Sequence, residues 1–154
     1  MRTALLLLAA LLAPASVPAQ TAAPQKLPIV FRVNRADEAL GQRLASGVRE
    51  SLRRAGGVTL LPDDNGAWMW FDFTSVKGET HSVAYMVVAG VFDQGAWTGS
   101  SSWGGMVGYC GVQAVDECVK TIMEHIDQSV VDFQAAHARQ RAERQDAPAR
   151  QPKK

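Results

Sequence analysis

The chain has 154 residues, of which 47% are hydrophobic and 20% charged, with a formal net charge of +1. That is enough for one ordinary domain with a sizeable core, and too little for several. A near-neutral chain with an acidic central part is a poor nucleic-acid binder, and beyond the N-terminus no apolar stretch reaches spanning length.

Met1-Arg2 is followed by an unbroken Leu/Ala run from Leu5 to Leu12, and Pro14, Ser16 and Pro18 break it before Ala19. A charged start, a short apolar run and a small residue at the cut describe a secretory signal peptide, 1–19, with cleavage after Ala19. The run is too short and too proline-rich for a membrane span. Export to the periplasm or the exterior is the localisation this predicts. Residues 20–27 form an Ala/Pro/Gln-rich linker, 28–138 a single domain, and 139–154 a basic tail predicted to be disordered, because it holds no large apolar residue. The tail carries net +4 and residues 20–138 net −4.

Pro28 to Val33 reads as the first strand. Asn34 is expected to cap a helix whose apolar stripe is Leu40, Leu44, Val48 and Leu52, with Gly41, Ala45 and Gly47 small enough for close approach to a sheet. Gly56-Gly57 should end it in a left-handed cap. Val58 to Leu61 is a second strand, closed by Pro62 and a turn over 63–66. From Ala67 to Val76 residues alternate, with Trp68, Trp70, Asp72 and Thr74 on one side and Met69, Phe71 and Phe73 on the other. Lys77-Gly78-Glu79 is a hairpin turn into a long strand, His81 to Phe92, apolar on both faces and hence central in a sheet.

Asp93 to Trp97 reads as a loop, Trp97 to Ser102 as an edge strand, and Trp103 to Cys110 as a glycine-rich strand with a bulge. The last helix starts near Val112, its buried stripe being Val115, Val119, Ile122, Ile126, Val130 and Phe133, joined by Cys118, Met123 and Val131. Cys110 and Cys118 are the sole cysteines, and in an exported chain so close a pair reads as a disulfide. Neither a C-x-x-C redox spacing nor a zinc spacing is present. The order β-α-β-β-β-(β)-α predicts an α+β fold, a two-layer α/β sandwich with a mixed sheet, both helices on one face, and the later strands meandering after a parallel β-α-β unit.

Residues 28–92, with the helix ending in SLRRAGGVTLL and a hairpin whose second strand reads HSVAYMVV, resemble the small α/β domains of bacterial envelope proteins such as the TolB amino-terminal domain. The curli-secretion lipoprotein type of domain has a similar plan. The resemblance implies an envelope interaction module and transfers no functional residue.

Chemistry-bearing residues are sparse. The segment from Gly99 to Gly105 lacks the small flanking residue and the strand-to-helix turn of a nucleophile elbow, and it lacks the helix N-terminus and Lys of a phosphate cradle. His125 and His137 are too far apart on one helix to share an ion, and His81 beside Glu79 reads as an exposed turn pair. The acid pairs Asp37-Glu38, Asp63-Asp64 and Asp116-Glu117 suit turns and helix starts. Asp72 is read as solvent-facing, since a buried carboxylate would need an Arg. No cofactor or metal ligand set is expected. Four tryptophans, Trp68, Trp70, Trp97 and Trp103, are the candidate binding residues, as an aromatic surface for a protein or a sugar. The expected function is therefore a non-enzymatic exported module that binds an envelope protein or cell-wall component through a Trp-bearing sheet face. A periplasmic inhibitor or glycan binder is the alternative, and a serine hydrolase using Ser101 or Ser102 with His81 is the third reading.

Overall fold

The computed structural model describes residues 26–36, 38–79, 81–93 and 96–146, with side chains described outside 93–102 and 146. The signal-peptide and linker expectations for 1–25, and the tail beyond 146, lie outside the described residues. The elements are β1 (Leu27–Ala36), α1 (Ala39–Arg54), β2 (Val58–Leu61), β3 (Met69–Lys77), β4 (Ser82–Asp93), β5 (Ala96–Gly111) and α2 (Val115–Asp146).

The five strands form one mixed sheet in the order β2-β1-β3-β4-β5. β1 runs parallel to both β2 and β3, and β3, β4 and β5 are successively antiparallel. The fold is α+β with both helices on one face, as the hydrophobic periods predict. Leu44, Val48 and Leu52 of α1 and Val115, Ile122 and Ile126 of α2 meet Ile29, Phe31, Phe71, Phe73, Val83 and Val87 in one buried cluster. These side chains are the apolar i, i+4 stripes of two helices and alternate residues of three strands, which is how each element loses its apolar face to the same core. The small residues of α1 do permit close approach, but to two different neighbours. A methyl at Gly41 would collide with Ser75 Oγ of β3, whereas a Cβ at Gly47 would fall 2.7 Å from Val119 Cγ2 of α2.

Several local expectations are corrected. β1 continues through Asn34 to Ala36 with a register irregularity between Val33 and Arg35, and Glu38, not Asn34, stands at the α1 N-cap without a side-chain cap bond. At its other end the helix leaves through Ala55 in an extended conformation (φ −64°, ψ 133°), so no left-handed glycine cap forms. In the β3–β4 hairpin the left-handed residue is His81 (φ 62°), not a glycine. The two expected strands 97–102 and 103–110 are one strand, β5, whose register shifts opposite Ala89 and Gly90. Helix α2 begins at Val115, after a turn at 112–113, and extends to Asp146, past the boundary set at 138 from composition.

The strand order departs from a simple meander after β2, because β3 pairs with β1 and not with β2. Leu61 lies opposite Val30 and Met69 opposite Ile29, so the connection 62–68 crosses β1 at that level. It does so on the face that the helices leave free. Ala67 is buried there against Val30 and Trp70, with Leu61, Val88 and Phe92 around them. Gly66, at φ 80°, takes the left-handed backbone that this turn requires. A second, smaller apolar cluster is thereby built on the helix-free side.

The predicted disulfide is present: Cys110 and Cys118 are bonded, with Cα atoms 6.1 Å apart, and it ties the end of β5 to the first turn of α2. The pair is consistent with an oxidising compartment. Among the described residues, no helix is long and apolar enough to cross a membrane.

Candidate functional site

The four tryptophans do not share a face. Trp70 follows the strand alternation and lies on the helix-free side, 8% exposed, within the small cluster of Val30 and Ala67. Its indole covers Gly90 of β4, its cross-strand partner, so closely that a Cβ there would enter the ring. Trp68 precedes β3 and breaks the alternation. Its backbone is held in the sheet by bonds to Pro28 O and from Phe92 N, but its ring meets α2 on the opposite side. Trp103 also reaches α2, its ring 5.8 Å from that of Phe133. Trp97 lies in β5, and its side chain is outside the described residues.

The helix side therefore gathers an aromatic cluster of two predicted binding residues, of Phe133 from the predicted α2 stripe, and of His137, which was not expected there. Trp68 stands edge-on to Phe133 at 6.3 Å and to His137 at 5.1 Å, while Phe133 and His137 stack at 5.8 Å. Phe133, His137, Arg141 and Gln145 recur every four residues and form one face of α2. That face, with Leu27 and Trp68 opposite, bounds a groove of about 350 Å³. Trp68 remains 42% exposed, so the groove offers an indole to a visitor as well as packing one. The groove combines aromatic surface, amide groups and the Arg141 guanidinium. Those are the groups that hold an apolar side chain next to a carboxylate.

On the helix-free side, Arg32 of β1 donates from Nε to Asp72 Oδ1 at 2.6 Å and from Nη1 to Asp64 Oδ2 at 3.2 Å. The guanidinium lies 5.0 Å from the Trp70 ring centre. Asp72 is thus not a free solvent-facing acid. It is 23% exposed at its side chain and paired with the cross-strand residue that the register places beside it. The cluster pins the connection 62–68 to β1 through Asp64, and with both carboxylates on one guanidinium its charges are largely committed to each other.

The hydrolase reading loses its geometry. Ser101 pairs with Val91, whereas His81 O accepts from Val112 N, so the two residues lie at opposite ends of the β4–β5 ladder, roughly 30 Å apart at strand rise. Among the described residues, no group of three His, Cys, Asp or Glu side chains could hold a metal ion. The chain matches no protein-family model, and no curated protein sequence matches it.

Proposed function

We propose that this chain is an exported, non-enzymatic interaction module that docks a protein segment in the groove between Trp68 and the C-terminal half of α2. The observation that carries the reading is the half-exposed indole of Trp68 standing over Phe133 and His137 at the mouth of a groove. The chemistry of the occupant follows from the walls. Aromatic rings favour an apolar side chain, and Arg139, Arg141 and Arg144 on the same end of α2 favour neighbouring carboxylates. The partner is thus an acidic segment with an apolar anchor, on an envelope or secreted protein, and the disulfide supports an oxidising location.

The test is a set of short peptides, each with one Leu, Phe or Trp flanked by Asp and Glu, titrated while indole fluorescence is followed. Binding should weaken about tenfold in Trp68→Ala and in Arg141→Glu, and stay unchanged in Lys77→Ala, which lies far from the groove. Absence of binding, or binding indifferent to Trp68→Ala, overturns the proposal. Binding of cell-wall glycan fragments in place of the peptides, lost in the same variant, would overturn it in favour of a glycan binder.

A further inference from the structure

The two edges of the sheet are unlike. β2 has four residues and is followed at once by Pro62, which cannot donate to a neighbouring strand. β5 has 16 residues and stands at the other end of the strand order, with no strand beyond it among the described residues. Its sequence, AWTGSSSWGGMVGYCG, holds no Lys, Arg, Asp, Glu or Pro. Charges, prolines and shortness are among the devices by which a free edge avoids pairing with another chain, and β5 uses none of these three. Its register irregularities fall opposite the Ala89–Asp93 end of β4, and Gly104 to Gly111 keep unbroken register.

The neighbouring face points the same way. Val107 is 78% and Tyr109 81% exposed, on the side without helices. Val107 pairs with Met86 and Tyr109 with Ala84, and Met86 is itself exposed, so an apolar strip runs across β4 to the outer edge. Such a strip ending at an unprotected edge is completed when the sheet continues.

We propose that β5 is a self-association edge, at which two copies of this chain pair β5 with β5, antiparallel about a two-fold axis, into one ten-stranded sheet. A second copy is favoured over another partner on two grounds. An uncharged strand offers no sign for a charged partner to match, whereas an identical uncharged strand meets it without burying an unpaired charge. The size also suffices. Along the ladder β5 spans the 12 residues of β4, roughly 40 Å at about 3.4 Å per residue, and a contact about 15 Å wide along it comes to roughly 600 Å² per partner, the lower end of specific interfaces. The two-fold puts both helix layers on one side and both Val107–Tyr109 strips on the other.

The experiment is sedimentation equilibrium of the mature, oxidised protein from the low micromolar range upward, with amide hydrogen exchange of Gly105 to Tyr109 at both ends of that range. The expected result is a monomer–dimer equilibrium, with those amides more protected at high concentration. Val107→Lys combined with Tyr109→Lys should weaken the dimer about tenfold or more, because lysines on an edge strand oppose its pairing with another chain. The melting temperature should hardly change, since both side chains are exposed. Val76→Lys, exposed on β3, should leave the dimer intact. A wild-type monomer throughout, a dimer unaffected by the double substitution, or concentration-independent exchange in β5 overturns the proposal. If the double variant does not fold, the exchange of the wild-type protein decides alone. A monomer that instead gains β5 protection from added extended peptides also counts against it.

Discussion

Reduction of the Cys110–Cys118 bond should cost a definite share of the stability. The bond closes a loop with a sequence separation of 8. Loop-closure entropy for so short a ring gives about 2.5 kcal/mol. Because the ring is short, most of that sum is the length-independent part and the first few residues of closure. For a domain of this size, about 2.5 kcal/mol corresponds to a fall of about 10 °C in melting temperature. Cys110 is fully buried and Cys118 is 9% exposed, so reductant should act slowly on the folded protein, through opening of the β5–α2 junction. The assay is thermal unfolding, followed by circular dichroism, after equilibration in the folded and in the unfolded state with a strong dithiol, beside an untreated sample. Cys110→Ala combined with Cys118→Ala should lose more, since it also removes two sulfurs from the packed core. A fall below about 2 °C on complete reduction, verified by thiol titration, would refute the reasoning. It would mean that the unfolded chain already holds β5 and the start of α2 together.

Gly90→Ala should destabilise by about 1–3 kcal/mol, because the new methyl enters the Trp70 ring. Urea unfolding should show much of that loss recovered in Gly90→Ala combined with Trp70→Leu, as expected for residues in direct contact. Burial pushes the Tyr85 phenol above its ordinary value of 10.0. Below that pH both states hold the proton and stability is unaffected. As pH rises from 10.0 toward the folded-state value the unfolded chain ionises first, so stability falls. Urea titrations between neutral and alkaline pH should show this loss in the wild type and a shallower one in Tyr85→Phe.

The core was legible because burial writes its period into the chain. Leu44, Val48 and Leu52 on α1, Ile122 and Ile126 on α2, and Phe71 and Phe73 on β3 each repeat at the spacing of their element and are all buried. The order of strands was less so. Whether β3 returns beside β2 or crosses to the far side of β1 depends on where Ala67 and Asp64 find partners, and those partners, Val30, Trp70 and Arg32, belong to other strands. The aromatic site was half visible. Alternation assigned Trp68 to the side of Trp70, but alternation holds within a strand, and Trp68 precedes β3. His137 offers no metal-site signal, being too far from His125 on the helix to share an ion with it. The signal that could have found it was its four-residue spacing from Phe133 and Arg141, beyond the end of the obvious apolar stripe.

The path of residues 62–68 has a bearing on how the chain acquires its shape. Among the described residues β1 is the earliest strand in sequence, yet it ends up flanked on both sides by strands made later. Its run Leu27-Pro28-Ile29-Val30-Phe31 leaves the translocation or synthesis machinery without either ladder mate, and the crossing strap that locks it in place comes more than thirty positions afterwards. Until Val58 to Leu61 arrive that greasy ribbon is bare on two flanks, and until Met69 to Phe73 arrive it is bare on one. Among the described strands β1 is therefore the one most exposed to sticking during synthesis, and a holding chaperone would be most useful there.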